Sequence, residues 1–346
     1  MSSSSPWDKF ILEDAINLRL AGKTYNEIAI HLNQKYGITV TDNAVRKKLK
    51  REIGKTKGNI QYYDKKEVSE ETISDYLDLM TKMSDIYDKL HSRQTKATVE
   101  IEDDKPIAIA LSGDWHVGEY GVDYKKLTEV LEIISHTDGV YHIGLGDYKG
   151  NYIQASKISG TFTQFSPELQ DKAVLYLAEK YLQQKSLCWV RGCHDSWDYK
   201  VAGKDFVETL AECTYSINLW HGGEFKIFLN NNYYEFLLGH KYLYESGLNT
   251  TNSQRRYNEN FGGADVVAIA HKHFPDFQEV NHMKRRTIRL RVGSFKVYDE
   301  YGQQVGRFKG EFGVPIIILF PHQKKMQGFL DFYEGIKYLK YLREGA

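Results

Sequence analysis

The sequence predicts an α/β chain, with a layered α/β domain following a small all-α unit. Three observations predict it. Between residues 106 and 273 a short apolar run ends five times at an Asp or a His. Residues 5 to 52 carry helix caps and three-to-four spacing, with no strand pattern. Between these parts the charge changes sign, which marks a boundary.

The all-α unit reads as three helices. Ser5-Pro6 with Asp8 is a helix start, and the first helix runs to about Leu20, before Ala21-Gly22. Thr24 opens the second, with Glu27 at capping-box spacing. Ile28, Leu32 and Tyr36 give it an apolar face, and Gly37 breaks it. The third starts near Thr41 and turns Val45 and Leu49 inward. Its outward face then carries Asn43, Arg46, Lys47, Lys50 and Arg51. Residues 1–60 hold eleven Lys or Arg against six Asp or Glu. A compact trio of helices with a basic last helix suits the major groove of DNA, where cations neutralise phosphates. The alternative is a solvated basic face on a packing domain. The expected bounds are 1–60 for this unit, 61–105 for a helical connector and 106–346 for the α/β domain.

The connector is acidic, with six Lys or Arg against twelve Asp or Glu over residues 64–104. Ile73, Tyr76, Met80, Met83, Tyr87 and Leu90 alternate at spacings of three and four. That seam fits either a homodimer through the 68–92 helix or a single helix packed on the larger domain. Residues 94–105 read as an exposed linker.

In the α/β domain, "PIAIAL" runs into Asp114-Trp115-His116, and "GVYHIGL" into Gly146-Asp147. "SLCWV" runs into Arg191-Gly192-Cys193-His194-Asp195, "YYEFLL" into Gly239-His240, and "ADVVAIA" into His271-Lys272-His273. The carboxyl ends of strands are where α/β sites assemble. One such triplet is weak evidence; the ordered set is strong. Imidazoles and carboxylates together suit manganese, iron or zinc.

The ordered set resembles the calcineurin-like metallophosphoesterase superfamily over roughly residues 106–320, and "AGKTYNEIAIHLNQKYGITVTDNAVRKKLKR" resembles helix-turn-helix domains of phage and bacterial DNA-binding proteins. The resemblance implies a two-sheet α/β/β/α sandwich with a small all-α helix-turn-helix domain at the N-terminus. It implies two divalent metals, with Asp114, His116 and His273 on the first, Asp147 bridging, and His240 and His271 on the second. Where the family has an Asn ligand, this chain has Cys193. The cysteine can ligate, sit beside the metal, or weaken the second site. Manganese is the expected metal, with zinc or iron admitted by Cys193. His194 matches the family's catalytic histidine, and Asp195 the acid that orients it.

Around the site, "TIRLRV" places Ile288, Leu290 and Val292 on one face and Arg289 and Arg291 on the other. With Lys284-Arg285-Arg286 and Arg255-Arg256, these arginines could grip a phosphate backbone or simply line a strand edge. Trp115 and Trp197 flank ligand positions and could stack on a base or wall a pocket. "VPIIILF" reads as a buried closing strand, and residues 331–346 as a helix with Ile336, Leu339 and Leu342 inward.

Composition narrows the classes. No apolar run approaches the roughly 20 residues of a membrane span, and the start has no apolar signal core. Three cysteines, Cys188, Cys193 and Cys213, without a C-x-x-C pair argue against a disulfide framework and for the cytoplasm. The expected function is a DNA nuclease whose partner is DNA, with no membrane. The alternatives are a phosphatase or cyclic-nucleotide phosphodiesterase, and a non-catalytic DNA-binding protein. The order of head and phosphoesterase resembles proteins of phages of low-GC bacteria.

Overall fold

The computed structural model describes residues 7–52, 56–57, 60–61, 70–90, 93–152, 165–245, 249–282, 285–298 and 310–345. The chain divides into two compact units, Met1–His91 and Ser92–Ala346. No helix among the described residues is long and apolar enough to cross a membrane.

The first unit opens with α1 (Lys9–Leu20), α2 (Tyr25–Tyr36) and α3 (Asp42–Glu52). The Ser5-Pro6 start lies outside the described residues; Asp8 caps α1 by accepting from the Ile11 N–H at 2.9 Å. The expected capping box is present on α2. Thr24 Oγ1 accepts from Glu27 N, and Glu27 Oε2 accepts from Thr24 N at 2.7 Å. Gly37 ends α2 at φ 63°, a left-handed conformation that glycine adopts without a Cβ penalty. Ile11, Ala15, Ile28, Leu32, Val45 and Leu49 pack into one core. Burying a Val or Leu side chain contributes roughly 1.5–3 kcal/mol, which holds short helices that would be marginal alone. After α3 come a two-residue pair, β1 (Thr56–Lys57) and β2 (Ile60–Gln61), and α4 (Glu70–Leu90). On α4, Ile73, Tyr76, Met80, Met83 and Tyr87 of the seam are exposed, and so are Leu77, Leu79 and Ile86.

The second unit has two six-stranded mixed sheets. Its strands are β3 (Lys96–Ile101), β4 (Ile107–Ser112), β5 (Val140–Gly144), β6 (Ser186–Trp189), β7 (Ile217–Asn218), β8 (Gly222–Leu229), β9 (Asn232–Gly239), β10 (Val266–Ile269), β11 (Asp276–His282), β12 (Arg285–Arg291), β13 (Ile316–Leu319) and β14 (Met326–Phe329). The helices are α5 (Tyr124–His136), α6 (Pro167–Leu182), α7 (Asp195–Ala202), α8 (Phe206–Thr214), α9 (Asn252–Asn260) and α10 (Phe332–Glu344). One sheet runs β14-β13-β4-β5-β6-β7, the other β11-β12-β10-β9-β8-β3.

Strand alternation builds the layers. Ile107, Ile109 and Leu111 of β4 join Phe236, Leu238, Val266, Ala268, Ile288 and Leu290 in the core between the sheets. The other face of β4 offers Ala108 and Ala110, which pack with Leu127, Val174, Leu210 and Ile336 of α5, α6, α8 and α10. Leu237, Val267 and Ile269 pack with Tyr257 of α9 on the far side of the second sheet. The order is helices, sheet, sheet, helix. The closing strand β13 pairs antiparallel with β4, and Ile336 and Leu339 of α10 are buried beneath it, with Leu342 half-buried.

Three expectations need correction. Residues 94–105 are not an exposed linker: Lys96–Ile101 form β3, an edge strand in parallel register with β8, with Ala97 and Ile101 buried. Its apolar face is only Ala97, half-buried Val99 and Ile101, set among charges, so the sequence reads as linker. Strand β12 is not an edge; it lies between β11 and β10. Its Arg291 is buried, donating to the Thr250 carbonyl at 3.0 Å and lying over the Phe274 ring, so it is not free to grip a phosphate backbone. Trp115 is fully buried and donates to Ser112 Oγ, so it cannot stack on a base. Arg289 is half-buried. Arg255 and Arg256 pair with Glu259 along α9. Arg285 pairs with Glu235 and Arg286 with Glu279, while Lys284 lies outside the described residues.

Candidate metal centre

The five strand-end segments converge. Parallel neighbours β4, β5 and β6 deliver Asp114, Asp147 and Cys193 from one sheet, and β9 and β10 deliver His240, His271 and His273 from the other. Beyond the strands the first two loops stay zipped: Asp114 N–H donates to the Gly146 carbonyl at 2.8 Å and His116 N–H to that of Asp147 at 3.0 Å. Ligand atoms of Asp114, His116 and His273 lie within 4.8 Å of one another; so do those of Cys193, His240 and His271, and those of Asp114, Asp147 and His240. Asp114 and His240 thus link the groups into one centre.

Strain marks the same place. Asp114, His116, Asp147, His271 and His273 all have φ between 48° and 77°. Non-glycine residues there cost about 1–3 kcal/mol each, and such strain gathers at functional sites. Glycine permits the closest approach: a Cβ on Gly192 would stand 2.1 Å from Asp147 Oδ1.

Each aspartate spends one oxygen on a backbone N–H and turns the other inward. Asp114 Oδ2 accepts from His271 N at 2.8 Å, and its Oδ1, buried without a hydrogen bond, lies 3.6 Å from His273 Nε2 and 3.8 Å from His116 Nε2. Asp147 Oδ1 accepts from His194 N at 2.8 Å, and its Oδ2 lies 3.1 Å from His240 Nε2. His240 Nδ1 bonds the Leu145 carbonyl at 2.7 Å, so that nitrogen carries the hydrogen. In the neutral ring its Nε2 is then a bare lone pair facing a carboxylate oxygen. His116 Nε2 and His273 Nε2 likewise face each other at 3.0 Å. Carboxylate oxygens and imidazole nitrogens gathered in a buried site make a donor set that fits divalent metal ions.

Electrostatics say the same. Burial, with Asp147 and Asp195 adding to it, pushes the Asp114 carboxyl up to about 8 against the pull of His240. Burial opposes a charge on His240, yet Asp147 beside it raises its imidazole well above the usual value: a proton there plays the part a cation would. Burial lowers His271 to about 3 and His273 well below the usual value, as suits neutral metal-binding rings.

Two supporting residues escaped the sequence reading. Glu119, fully buried, accepts from His116 Nδ1 at 2.7 Å and from Lys296 Nζ at 2.6 Å. Burial raises its carboxyl, but His116, Lys296 and His194 together hold it at about 2. It fixes the His116 tautomer with Nε2 turned to the centre. The three-residue spacing from His116 was the only available signal, and it is common by chance. Lys149, also fully buried, pairs with Asp171 and Asp198 and so ties the Asp147 loop to α6 and α7.

The expected partnership of Asp195 with His194 is corrected. Asp195 accepts from the backbone N–H of Asp147 at 2.7 Å, Gly192 at 2.9 Å and Tyr148 at 3.3 Å. Through these three backbone N–H groups it positions the loops. His194 Nδ1 instead donates to the Gly150 carbonyl at 2.5 Å, and Trp197 stacks on the ring at 4.3 Å. Sequence adjacency hid both partners. The DNA-contact candidates are far simpler: Asn43, Arg46, Lys47, Lys50 and Arg51 are all exposed on α3, opposite buried Val45 and Leu49.

No protein-family model and no curated protein matches the sequence. Solved structures do. The chain is similar to a predicted phosphoesterase from Streptococcus pneumoniae, at 12% identity over 65% of this chain and 98% of that one, with a TM-score of 0.33. It is similar to the calcineurin-like phosphoesterase YfkN from Bacillus subtilis, at 9% identity over 69% and 96%, with a TM-score of 0.36. It is similar to the nuclease MPE from Pseudomonas putida, at 14% identity over 64% and 87%, with a TM-score of 0.29. These are distant likenesses, and the geometry of the site carries the functional reading.

Proposed function

We propose that this chain is a metal-dependent phosphodiesterase of the calcineurin-like type that hydrolyses DNA, with α1–α3 serving as a helix-turn-helix head. The observation that carries the reading is the convergence of seven ligand-type side chains, with Asp114 Oδ1 and His240 Nε2 buried and unbonded among them. Asp114, His116 and His273 would hold one ion, Cys193, His240 and His271 the other, with Asp147 between them. Bound there, divalent ions supply a hydroxide nucleophile near neutral pH and offset phosphate charge.

The chain's own residues supply the rest. Asp147 offers one oxygen to the centre while the His194 N–H holds the other. His116 and His240 present Nε2 because Glu119 and the Leu145 carbonyl hold their Nδ1 hydrogens. With its own Nδ1–H on Gly150, His194 keeps Nε2 for a proton exchanged at the leaving oxygen. The basic face of α3 would neutralise DNA phosphates. The apolar face of α4 is the proposed contact with a second copy.

The test is cleavage of labelled linear and circular, single- and double-stranded DNA with Mn²⁺, Zn²⁺, Fe²⁺ or Mg²⁺ added separately. Cleavage by the wild type that Asp147→Asn abolishes is the expected result. Tight DNA binding without cleavage under any metal would overturn the nuclease reading in favour of a non-catalytic DNA-binding protein.

A further inference from the structure

The two halves of the centre are chemically unequal. One half offers Asp114, His116 and His273, an oxygen and two nitrogens. The other offers Cys193, His240 and His271, a sulfur and two nitrogens. We infer that Cys193 binds metal as a thiolate and makes this second position selective for a borderline-soft ion, zinc or ferrous iron, over manganese or magnesium. The inference rests on the metal-centre reading above and deepens it.

Geometry comes first. Cys193 Sγ lies 3.8 Å from His271 Nδ1. Two ligands on one tetrahedral zinc, at about 2.3 Å for sulfur and about 2.0 Å for nitrogen, stand roughly 3.5 Å apart. A few tenths of an ångström of side-chain movement closes that difference. Cys193 is half-buried on the turn before α7, where a side chain can make such a movement.

A second observation points into the same space independently of the cysteine. His240 is buried, its Nδ1–H is committed to the Leu145 carbonyl, and its Nε2 has no hydrogen-bond partner. His240 falls within the same 4.8 Å ligand cluster as the Cys193 sulfur. A buried imidazole nitrogen beside the Asp147 carboxylate and clustered with a thiol offers donors suited to one ion. Thiolate and imidazole donors together favour zinc and iron, whereas magnesium demands oxygen ligands.

The remaining cysteines do not compete. Cys188 is fully buried in the core between the sheets, and Cys213 on α8 donates to the Leu210 carbonyl. Any sulfur–metal signal therefore reports Cys193.

The experiment uses the full chain, stripped of metal and titrated with Co²⁺ as a spectroscopic probe. The wild type is expected to develop a near-ultraviolet sulfur-to-cobalt charge-transfer band. Cys193→Asn is expected to lose that band while keeping the visible cobalt bands, which also shows that the variant is folded and still holds metal. In a zinc-against-manganese competition followed by metal analysis, Cys193→Asn should shift the ratio tenfold or more toward manganese. Cobalt bound by the wild type without the sulfur band, or an unchanged competition ratio, overturns the inference. DNA cleavage is measured on the same preparations. Cleavage without the sulfur band sinks the thiolate and spares the hydrolase; the band without cleavage does the reverse. No cobalt bound at all overturns both.

Discussion

At the residue scale, the site depends on how closely its loops meet. Gly192→Ala would put a Cβ against Asp147 Oδ1 and N, both nearer than a Cβ can approach. The Asp147 backbone N cannot yield, and its carboxylate would have to leave the centre, so this substitution should cost about 1–3 kcal/mol and weaken metal binding there. Thermal melts and metal analysis check it, and a fully loaded variant of native stability would refute the close packing. Glu119 acts through another residue. With Glu119→Ala, the His116 tautomer loses its anchor, and metal affinity at the Asp114/His116/His273 position should fall by about 10–100-fold. Calorimetric titration should show one weakened position and one unchanged; equal binding in variant and wild type would make Glu119 merely structural. The Asp, His and Cys side chains that converge were legible in the sequence because each follows an apolar strand. Glu119, the Gly150 carbonyl and the Asp195 contacts were not, because a side chain's partner depends on loops that meet only in the fold.

At the scale of the element, β5 carries a buried titratable group that the chemistry does not use. His142 joins Ser112 Oγ at 2.8 Å and Ser186 Oγ at 3.1 Å, tying β4, β5 and β6 together. Burial pushes its imidazole down to about 3. The unfolded chain takes up this proton near about 6.5, and the folded chain only near 3. Between those values the unfolded state binds more protons, so this contribution is complete above the upper value and is lost as the pH falls through the window. Denaturant melts at stepped pH should therefore show an acid-side slope that is shallower in His142→Gln. Identical slopes would refute the assignment. The strands themselves were readable from their apolar runs, and α2 from its capping box. Strand β3 was not, because an edge strand with two buried residues lacks a strong pattern and is fixed by its pairing with β8.

At the scale of the whole molecule, the chain divides into two compact units, and the proposed function gives DNA binding to the first and hydrolysis to the second. Reversing Arg46, Lys47 and Lys50 to Glu together should weaken DNA binding tenfold or more. The logarithmic salt slope should fall by about 0.9 for each phosphate that α3 no longer neutralises. Hydrolysis of a small chromogenic phosphodiester should stay unchanged. Binding and salt dependence equal to wild type would remove α3 from the DNA interface; loss of small-ester hydrolysis would show that the two tasks are not separate.

The sequence by itself determined the local chemistry: where strands end, which side chains follow them, and which face of α3 is basic. Nearest-neighbour periodicity and capping encode these, and they need no distant partner. Only the tertiary structure decided which chemistry each residue can reach. Arg291 and Trp115 are buried although their neighbours in sequence suggested exposure. Asp195 serves backbone N–H groups instead of the adjacent ring. Cys193 stands beside His271, 78 residues on, because two sheets turn their strand ends to one point.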